Sequence, residues 1–349
     1  VQEPSGLGGS EGNNYFSGTE DCLYLDIKAP SKEQAELFPV MFWIHGGGNT
    51  SGLKDIYDFS GLVKKENVIV VSINYRLGPF GWFSHPAIQG YQEGIDKTSN
   101  YGLLDIIKAL EWVNLNIEKF GGDKNNITIF GESAGGHNVF SLLVAPQAKG
   151  LFHKAISQSG YTTSINYEYA YNTKHSSVDY VGSQEIIAKH VNSSNLKNVR
   201  EVIKSMDAYK FYAKYPKDPL REIPLMTNDG IVIPSIGILE SLKDPIYASI
   251  PIMAGSNRDE VKLWIGTSLY FVKPEYSFLG SIFNIPRIKM VNEDAFEAFN
   301  YYRSSAWQIR GVKEPLEKLL SAGSENIYAY RFDWDDHRKG PIANFKKII

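Results

Sequence analysis

The sequence predicts an α/β fold with a mostly parallel central sheet and helices on both of its faces. Continuous apolar runs alternate with helical patterns through residues 1–160, and strand-like runs return at residues 250–254 and 326–332. Apolar runs of this kind are typical of strands that are covered on both faces. Alternation of strands and helices predicts right-handed crossovers between parallel strands.

Each strand is predicted from an apolar run rich in β-branched or aromatic residues. The longer helix is predicted from apolar residues spaced three and four apart, with Ser99 or Asn100 at its start and Gly121 and Gly122 at its end. The predicted strands cover residues 38–44, 68–73, 127–130, 155–157, 250–254 and 326–332, and the predicted helices cover residues 100–120 and a segment that begins at Ala134.

Residues 164–247 differ in texture from the segments on either side. They contain polar, helix-like pieces without strong strands, and no linker rich in proline, glycine or serine isolates them. We therefore expect a helical insertion over the sheet edge, and residues 1–349 as one domain.

Composition excludes several classes of partner. The formal net charge is −3, from 36 basic and 39 acidic residues that are well interspersed, so no nucleic-acid partner is indicated. No stretch approaches the roughly 18 apolar residues of a membrane span. Cys22 is the only cysteine, whereas cysteine-based metal sites need pairs. No metal or organic cofactor is implied, and the sequence does not define an oligomeric state.

Residues 131–135 read Gly-Glu-Ser-Ala-Gly, which is the pattern of a nucleophile elbow. In this motif a serine lies on a sharp turn between a strand and a helix, and flanking glycines leave room for the turn. Residues 8–12 match the same pattern around Ser10, but no apolar run precedes them and no helical pattern follows. Ser133 directly follows a predicted strand and precedes a predicted helix, so we favour Ser133 as the nucleophile.

A second motif, His45-Gly46-Gly47-Gly48, follows an earlier predicted strand. An enzyme that transfers acyl groups must stabilise negative charge on a carbonyl oxygen, and backbone N–H groups do so best where glycines allow close approach. The glycine loop is therefore a candidate for an oxyanion hole.

These residues resemble the type-B carboxylesterase and cholinesterase family, in particular its bacterial-type carboxylesterases. The resemblance runs from about Glu20 to Asp335 and implies an α/β-hydrolase fold that forms a single catalytic domain. The blocks that carry it are residues 20–25 (EDCLYL), 74–78 (NYRLG), 120–136 (FGGDKNNITIFGESAGG) and 158–160 (QSG).

The resemblance implies roles for individual residues. It makes Ser133 the nucleophile, and it makes Glu260, in the block GSNRDE, the acid of the triad. From the residues alone, Asp259 satisfies the same spacing almost as well, because both follow a short apolar strand. The remaining implied roles are the backbone amides of Gly47, Gly48 and Ala134 as oxyanion donors, Ser159 near the acid, Glu132 beside the catalytic residues, and a structural salt bridge between Glu20 and Arg76.

The catalytic histidine is the element that departs from the family pattern. Of seven histidines only His337 follows Glu260, and it lies among charged residues. The resemblance instead implies a base in a Gly-x-x-His segment shortly beyond Ile349. It also implies that Cys22 pairs with a cysteine shortly before Val1. We therefore expect a chain that is incomplete at both ends and a periplasmic or secreted protein, with the cytoplasm as the alternative.

The predicted function is serine carboxylesterase activity on small-molecule esters, through an acyl-enzyme and a Ser-His-Glu triad. Two alternatives remain: a lipase with the same triad, and a cholinesterase-like binding or adhesion module that has lost catalysis.

Overall fold

The computed structural model describes Gln2 and residues 17–31, 36–172, 181–215, 226–266, 268, 270–283 and 287–333. The strands, numbered in chain order, are β1 (Leu25–Lys28), β2 (Phe38–Ile44), β3 (Ile69–Ile73), β4 (Gly122–Glu132), β5 (Lys154–Gln158), β6 (Ile165–Asn166), β7 (Thr227–Asn228), β8 (Ile252–Asn257), β9 (Val272–Glu275), β10 (Arg287–Met290) and β11 (Ile327–Phe332).

Seven strands form the central sheet, in the order β1-β3-β2-β4-β5-β8-β11. Only β1 runs antiparallel to its neighbour within this sheet, and the other pairs are parallel. The mostly parallel sheet is therefore confirmed, and all six predicted strands belong to it. Strand β1 and the two separate pairs, β6 with β7 and β9 with β10, were not predicted from the sequence.

The helices are α1 (Ser60–Glu66), α2 (Pro86–Gln89), α3 (Tyr101–Asn116), α4 (Ala134–Val144), α5 (Tyr167–Tyr171), α6 (Ser183–Ala188), α7 (Leu196–Ser205), α8 (Ala208–Tyr212), α9 (Ile238–Ser241), α10 (Lys262–Ile265), α11 (Phe278–Ile282), α12 (Glu293–Gln308) and α13 (Glu314–Ser321). The predicted helix 100–120 is α3 followed by a 3₁₀ turn, Ile117–Phe120, and it ends at Gly121 with φ 81°. None of the helices in the described residues is both long and apolar enough to cross a membrane.

Alternate side chains of β2 pack on opposite faces of the sheet. Phe42 and Ile44 belong to the main core, which includes the apolar faces of α3 and α4. Trp43 packs in a second cluster with Val63 of α1 and with Phe130. This alternation follows from the two-residue period of a strand, and it gives the sheet helices on both faces, as predicted.

Residues 159–251 connect β5 to β8, which are adjacent strands of the central sheet. The described parts of this segment contain α5 to α9 and the short strands β6 and β7. Met226, Val232 and Ile233 join the main core. An insertion over residues 164–247 within one domain stays our interpretation of this arrangement.

Arg76 has a different partner from the one that the sequence analysis expected. Its guanidinium makes two hydrogen bonds of 2.7 Å to the carboxylate of Asp105 on α3. Asp105 is buried, whereas Glu20 lies in an exposed loop before β1. A buried carboxylate on the adjacent helix offers a charge-assisted, bidentate contact, so Arg76 braces α3 against the end of β3 through Asp105 and not through Glu20.

Candidate active site

Ser133 occupies a tight turn between β4 and α4. Its φ is 55° and its ψ is −119°, which places it among the few non-glycine residues with positive φ. A Cβ on Gly135 would lie 2.0 Å from the carbonyl oxygen of Ile44, and a Cβ on Gly131 would lie 2.5 Å from the backbone of Gly135. No larger residue fits at either position, so the strand–turn–helix context of this motif is present. Ser10 lies outside the described residues.

The glycine loop after β2 lies against this turn. A Cβ on Gly46 would be 3.2 Å from Cβ of Ser133 and 2.9 Å from Oε2 of Glu132. Gly47 and Gly48 have φ values of 101° and 62°, which favour glycine. The parallel pairing of β2 with β4, in which Ile44 faces Gly131, brings the two loops together.

Three backbone amides, two in the glycine loop and one in the elbow, are candidate oxyanion donors. Within the described part of the chain, the N–H groups of Gly47, Gly48 and Ala134 donate to no acceptor. The carbonyl oxygen of Gly47, in contrast, accepts from the amides of Thr50 and Ser51 at 3.1 and 3.0 Å. The carbonyl of Gly47 thus points toward the loop's own residues, and the N–H groups of Gly47 and Gly48 stay available to a ligand. An oxyanion requires free N–H donors of this kind.

His45 shapes this loop and is not placed as a base. Its side chain is buried and stacks on Tyr75, and Nδ1 lies 2.8 Å from the carbonyl oxygen of Gly46. Burial lowers the pKa of His45 to about 4, so the ring is neutral. Among the described residues, the histidine side-chain hydrogen bonds are those of His45, His85 and His153, and none of them involves Oγ of Ser133. His337 lies outside them.

Glu260 follows β8 at the same edge of the sheet. The residue is 9% exposed, and its carboxylate accepts hydrogen bonds only from Asn257 among the described residues, at 2.7 Å from the backbone N–H and 3.2 Å from the side chain. Burial and the charge of Glu260 raise the pKa of Glu132 to about 7. The two carboxyls are therefore electrostatically coupled, and Glu132, Ser133 and Glu260 lie at one edge of the sheet.

Asp259 is held quite differently from Glu260. Its oxygens accept from Nδ2 of Asn300 at 2.6 Å and from Nε of Arg258 at 2.9 Å, and Nζ of Lys262 lies at 3.8 Å. Burial acts to raise the pKa of Asp259, but the hydrogen bonds from Asn300 and Arg258 and the charge of Lys262 lower it below the usual range. Because Asp259 already accepts hydrogen bonds from these partners, Glu260 is the better candidate of the two to orient an imidazole.

Ser159 lies at the end of β5, between the strands that carry Ser133 and Glu260. Its φ is 49°, its N–H donates to the carbonyl of Gly255 at 2.8 Å, and its carbonyl accepts from Nε1 of Trp307 at 3.0 Å. Gly255 also pairs with Tyr330 of β11. The charges of Glu260 and Glu132 act on Tyr330, whose pKa is raised mainly by burial. Tyr330 was not predicted from the sequence, because its proximity to Glu260 and Glu132 follows only from the strand order.

Cys22 is half-buried and forms no disulfide in the described residues. Burial raises the pKa of its thiol. No group of three or more His, Cys, Asp or Glu side chains in the described residues is arranged to hold a metal ion.

A serine on a strand-to-helix elbow, a facing glycine loop and an acidic residue after a later parallel strand define a protein of the α/β-hydrolase class. The sequence matches the profile of the carboxylesterase family over residues 3–308. The chain belongs to this carboxylesterase family.

Individual relatives agree with this assignment. Para-nitrobenzyl esterase of Bacillus subtilis (strain 168) is 34% identical over 337 residues, which is 93% of this chain and 65% of that protein. Human cocaine esterase is 50% identical over 145 residues, or 41% of this chain and 25% of that protein. A solved structure of PNB esterase covers 100% of this chain and 72% of its own, with 28% identity and a TM-score of 0.68. The chain thus spans less than two thirds of the length of these curated relatives, and its fold is that of the α/β-hydrolases.

Proposed function

We propose that the protein hydrolyses small carboxylic esters through an acyl-enzyme formed on Ser133. The observation that carries the proposal is the strained elbow of Ser133 beside three backbone amides that donate to no described residue. A serine held at positive φ between two obligatory glycines costs conformational energy, which a binding module has no reason to retain. The non-catalytic alternative is for this reason the weaker one.

In the proposed reaction, Oγ of Ser133 attacks the ester carbonyl while a histidine accepts its proton. The amides of Gly47, Gly48 and Ala134 stabilise the negative charge on the carbonyl oxygen of the tetrahedral intermediate. The histidine then gives its proton to the departing alcohol, and water hydrolyses the acyl-serine by the reverse sequence. Glu260 holds the histidine in the productive tautomer.

The base is the one member of this triad that must come from outside the described residues. We assign it to a histidine after β11, as the resemblance implies, and give Ser159 and Glu132 supporting positions beside Glu260 and Ser133. A disulfide between Cys22 and a cysteine outside this sequence would favour an oxidising compartment, such as the periplasm or the cell exterior, over the cytoplasm.

The proposed substrate class rests on the named relatives. Relatives are named for para-nitrobenzyl esters and cocaine, and we propose compact esters of this kind as substrates. A lipase with the same triad would instead prefer long acyl chains. Comparing kcat/KM for p-nitrophenyl acetate, butyrate and palmitate separates the two: an esterase favours the short chains.

A fluorophosphonate probe tests the nucleophile in the full-length protein. We expect one covalent adduct, mapped by mass spectrometry to Ser133, together with loss of ester hydrolysis. Ser159 is a matched internal control, because it is also a serine of positive φ at the end of a parallel strand, and it should stay unlabelled. A tag on Ser10 or Ser159, or no tag on an ester-hydrolysing protein, would refute the assignment.

A further inference from the structure

Two buried asparagines connect the glycine loop to the helix that follows Ser133. Asn49 ends the glycine loop with φ 58°, and Asn138 lies one turn into α4; both are 0% exposed. Nδ2 of Asn138 donates to Oδ1 of Asn49 at 2.9 Å. Among the described residues this is the one side-chain hydrogen bond between residues 45–52 and α4.

Tyr75 completes the cluster from the end of β3. Its hydroxyl donates to the carbonyl oxygen of His45 at 2.7 Å and lies 3.3 Å from Oδ1 of Asn49. The backbone of Asn49 is fixed as well, because its carbonyl accepts from the amide of Gly78 at 2.7 Å. The loop is therefore held at its start through His45 and at its end through Asn49.

The oxyanion donors are divided between the two elements that these asparagines join. Gly47 and Gly48 belong to the loop, whereas the amide of Ala134 belongs to α4. Oxyanion donors act when they lie about 2.7–3.1 Å from the developing charge, and a misplacement of about 1 Å can cost about 100-fold in rate. The distance between loop and helix thus determines whether all three amides reach one oxygen.

We propose that Asn49 and Asn138 are positioning residues that fix the glycine loop relative to α4 and so set the spacing of the oxyanion donors. The proposal rests on the proposed function, because it assumes that these amides stabilise a tetrahedral intermediate.

The cluster is poorly suited to a purely structural role. In the described part of the chain, Nδ2 of Asn49 and Oδ1 of Asn138 are buried and have no hydrogen-bond partner. A neutral hydrogen bond adds little net stability, and unpaired buried polar atoms oppose it. Replacing the Asn138 amide with an apolar group removes its unpaired Oδ1 and leaves Oδ1 of Asn49 with the Tyr75 hydroxyl at 3.3 Å. Stability should therefore change little, although the replacement releases the loop.

The test uses Asn138→Leu in the complete protein, with Asn114→Leu as the matched control. Asn114, on α3, also donates its amide from a helix, to the carbonyls of Leu110 and Leu151 at 3.0 and 2.8 Å, far from the glycine loop in sequence. We expect kcat for p-nitrophenyl butyrate to fall about 10- to 100-fold in Asn138→Leu, with KM within about threefold and the melting temperature close to that of the control.

Two further measurements separate positioning from folding. Inhibition by a trifluoromethyl ketone, which places an oxyanion in the same site, should weaken in Asn138→Leu by about the factor lost from kcat/KM. Asn49→Gly removes the partner at a position where glycine tolerates the positive φ, so it serves if Asn138→Leu does not fold. Combined with Asn138→Leu, it should add little further loss, because both changes remove the same contact.

The outcomes distinguish this inference from the proposed function. If the unaltered protein neither hydrolyses esters nor reacts at Ser133, the proposed function fails. If it does both, but Asn138→Leu and Asn49→Gly have the kcat of Asn114→Leu, only the positioning role is refuted. A loss of kcat matched by an equal fractional loss of folded protein, with unchanged affinity for the ketone, also overturns it.

Discussion

Glu132 and Glu260 show how two neighbouring carboxyls acquire different chemistry. Glu260 accepts two hydrogen bonds from Asn257, at 2.7 Å from the backbone N–H and 3.2 Å from the side chain. Burial, and then the negative charge of Glu260, raise the pKa of Glu132 to about 7. Near neutral pH the carboxyl of Glu132 is therefore divided between its neutral and ionised forms. The neutral fraction avoids part of the repulsion that a second full negative charge near Glu260 would cause.

Exchanging Glu260 for glutamine tests which carboxylate orients the base. We expect turnover to fall by up to about 10⁴-fold in Glu260→Gln, because loss of the charged partner leaves a triad histidine in the wrong tautomer. The paired variant Asp259→Asn should lose about tenfold or less, since Asp259 contacts Asn300 and Arg258. Steady-state kinetics on p-nitrophenyl butyrate provides the comparison. An equal loss in both variants, or a larger one in Asp259→Asn, would contradict the assignment.

The choice between these two acids could not be made from spacing alone. Glu260 and Asp259 are adjacent and follow the same strand, so chain order treats them alike. What separates them is Asn300, which reaches Asp259 from α12, 41 positions away. Similarly, the partner of Arg76 could not be predicted from the segment NYRLG that contains it, because Asp105 lies on the later helix α3.

At the scale of elements, the elbow depends on the absence of two side chains. Gly135 lies so close to Ile44 at the end of β2 that even a methyl group has no space. The motif was recognisable because β4, the turn and α4 are consecutive in the chain, whereas the contact with Ile44 comes from β2, much earlier in the sequence.

Gly135→Ala should destabilise the protein by about 3 kcal/mol or more, because the new Cβ would lie 2.0 Å from the carbonyl of Ile44. Gly61→Ala is the control: Gly61 lies in α1, where a Cβ meets nothing within 4 Å, and alanine should stabilise the helix by about 0.5 kcal/mol. Urea unfolding monitored by circular dichroism gives both values. Similar midpoints for the two variants would show that the backbone can relax around the elbow.

Strands and helices that are partly exposed to solvent were not predicted from the sequence. Strand β1 is half-buried along its length, and β9 and β10 are short and largely exposed. Their sequences lack the continuous apolar runs that identify buried parallel strands. Helix α12 carries exposed aromatic residues such as Tyr301 and Tyr302. Because apolar residues then lie on its solvent face as well as its buried face, the sequence lacks the single apolar stripe that identifies an amphipathic helix.

At the scale of the whole molecule, Asp229 connects the segment after β5 to the start of α3. One carboxylate oxygen accepts three backbone amides, those of residues 231–233, at 3.0–3.1 Å. The other accepts from Nδ2 of Asn100 at 2.9 Å and from the hydroxyl of Thr98. A single charged side chain thereby organises a turn and joins it to the helix beside the sheet.

Removing this carboxylate should weaken the entire fold. We expect Asp229→Ala to lower the free energy of unfolding by about 3 kcal/mol, because buried donors lose a charged acceptor. Asp244→Ala is the control, since Asp244 is exposed and caps one turn through the amide of Ile246; it should cost about 1 kcal/mol or less. Calorimetry also tests the single-domain interpretation, which requires one transition in both variants. Two separate transitions would contradict it.

The buried position of Asn49 has a consequence for biosynthesis. Asn49-Thr50-Ser51 is an acceptor triplet for N-linked glycans, yet the folded protein exposes none of the Asn49 side chain. In a secretory host, a glycan added before folding would have to occupy the space that Asn138 fills, so the sugar and the native loop exclude each other. We expect molecules modified at this asparagine to be misfolded and inactive, and secreted active protein to carry an unmodified Asn49.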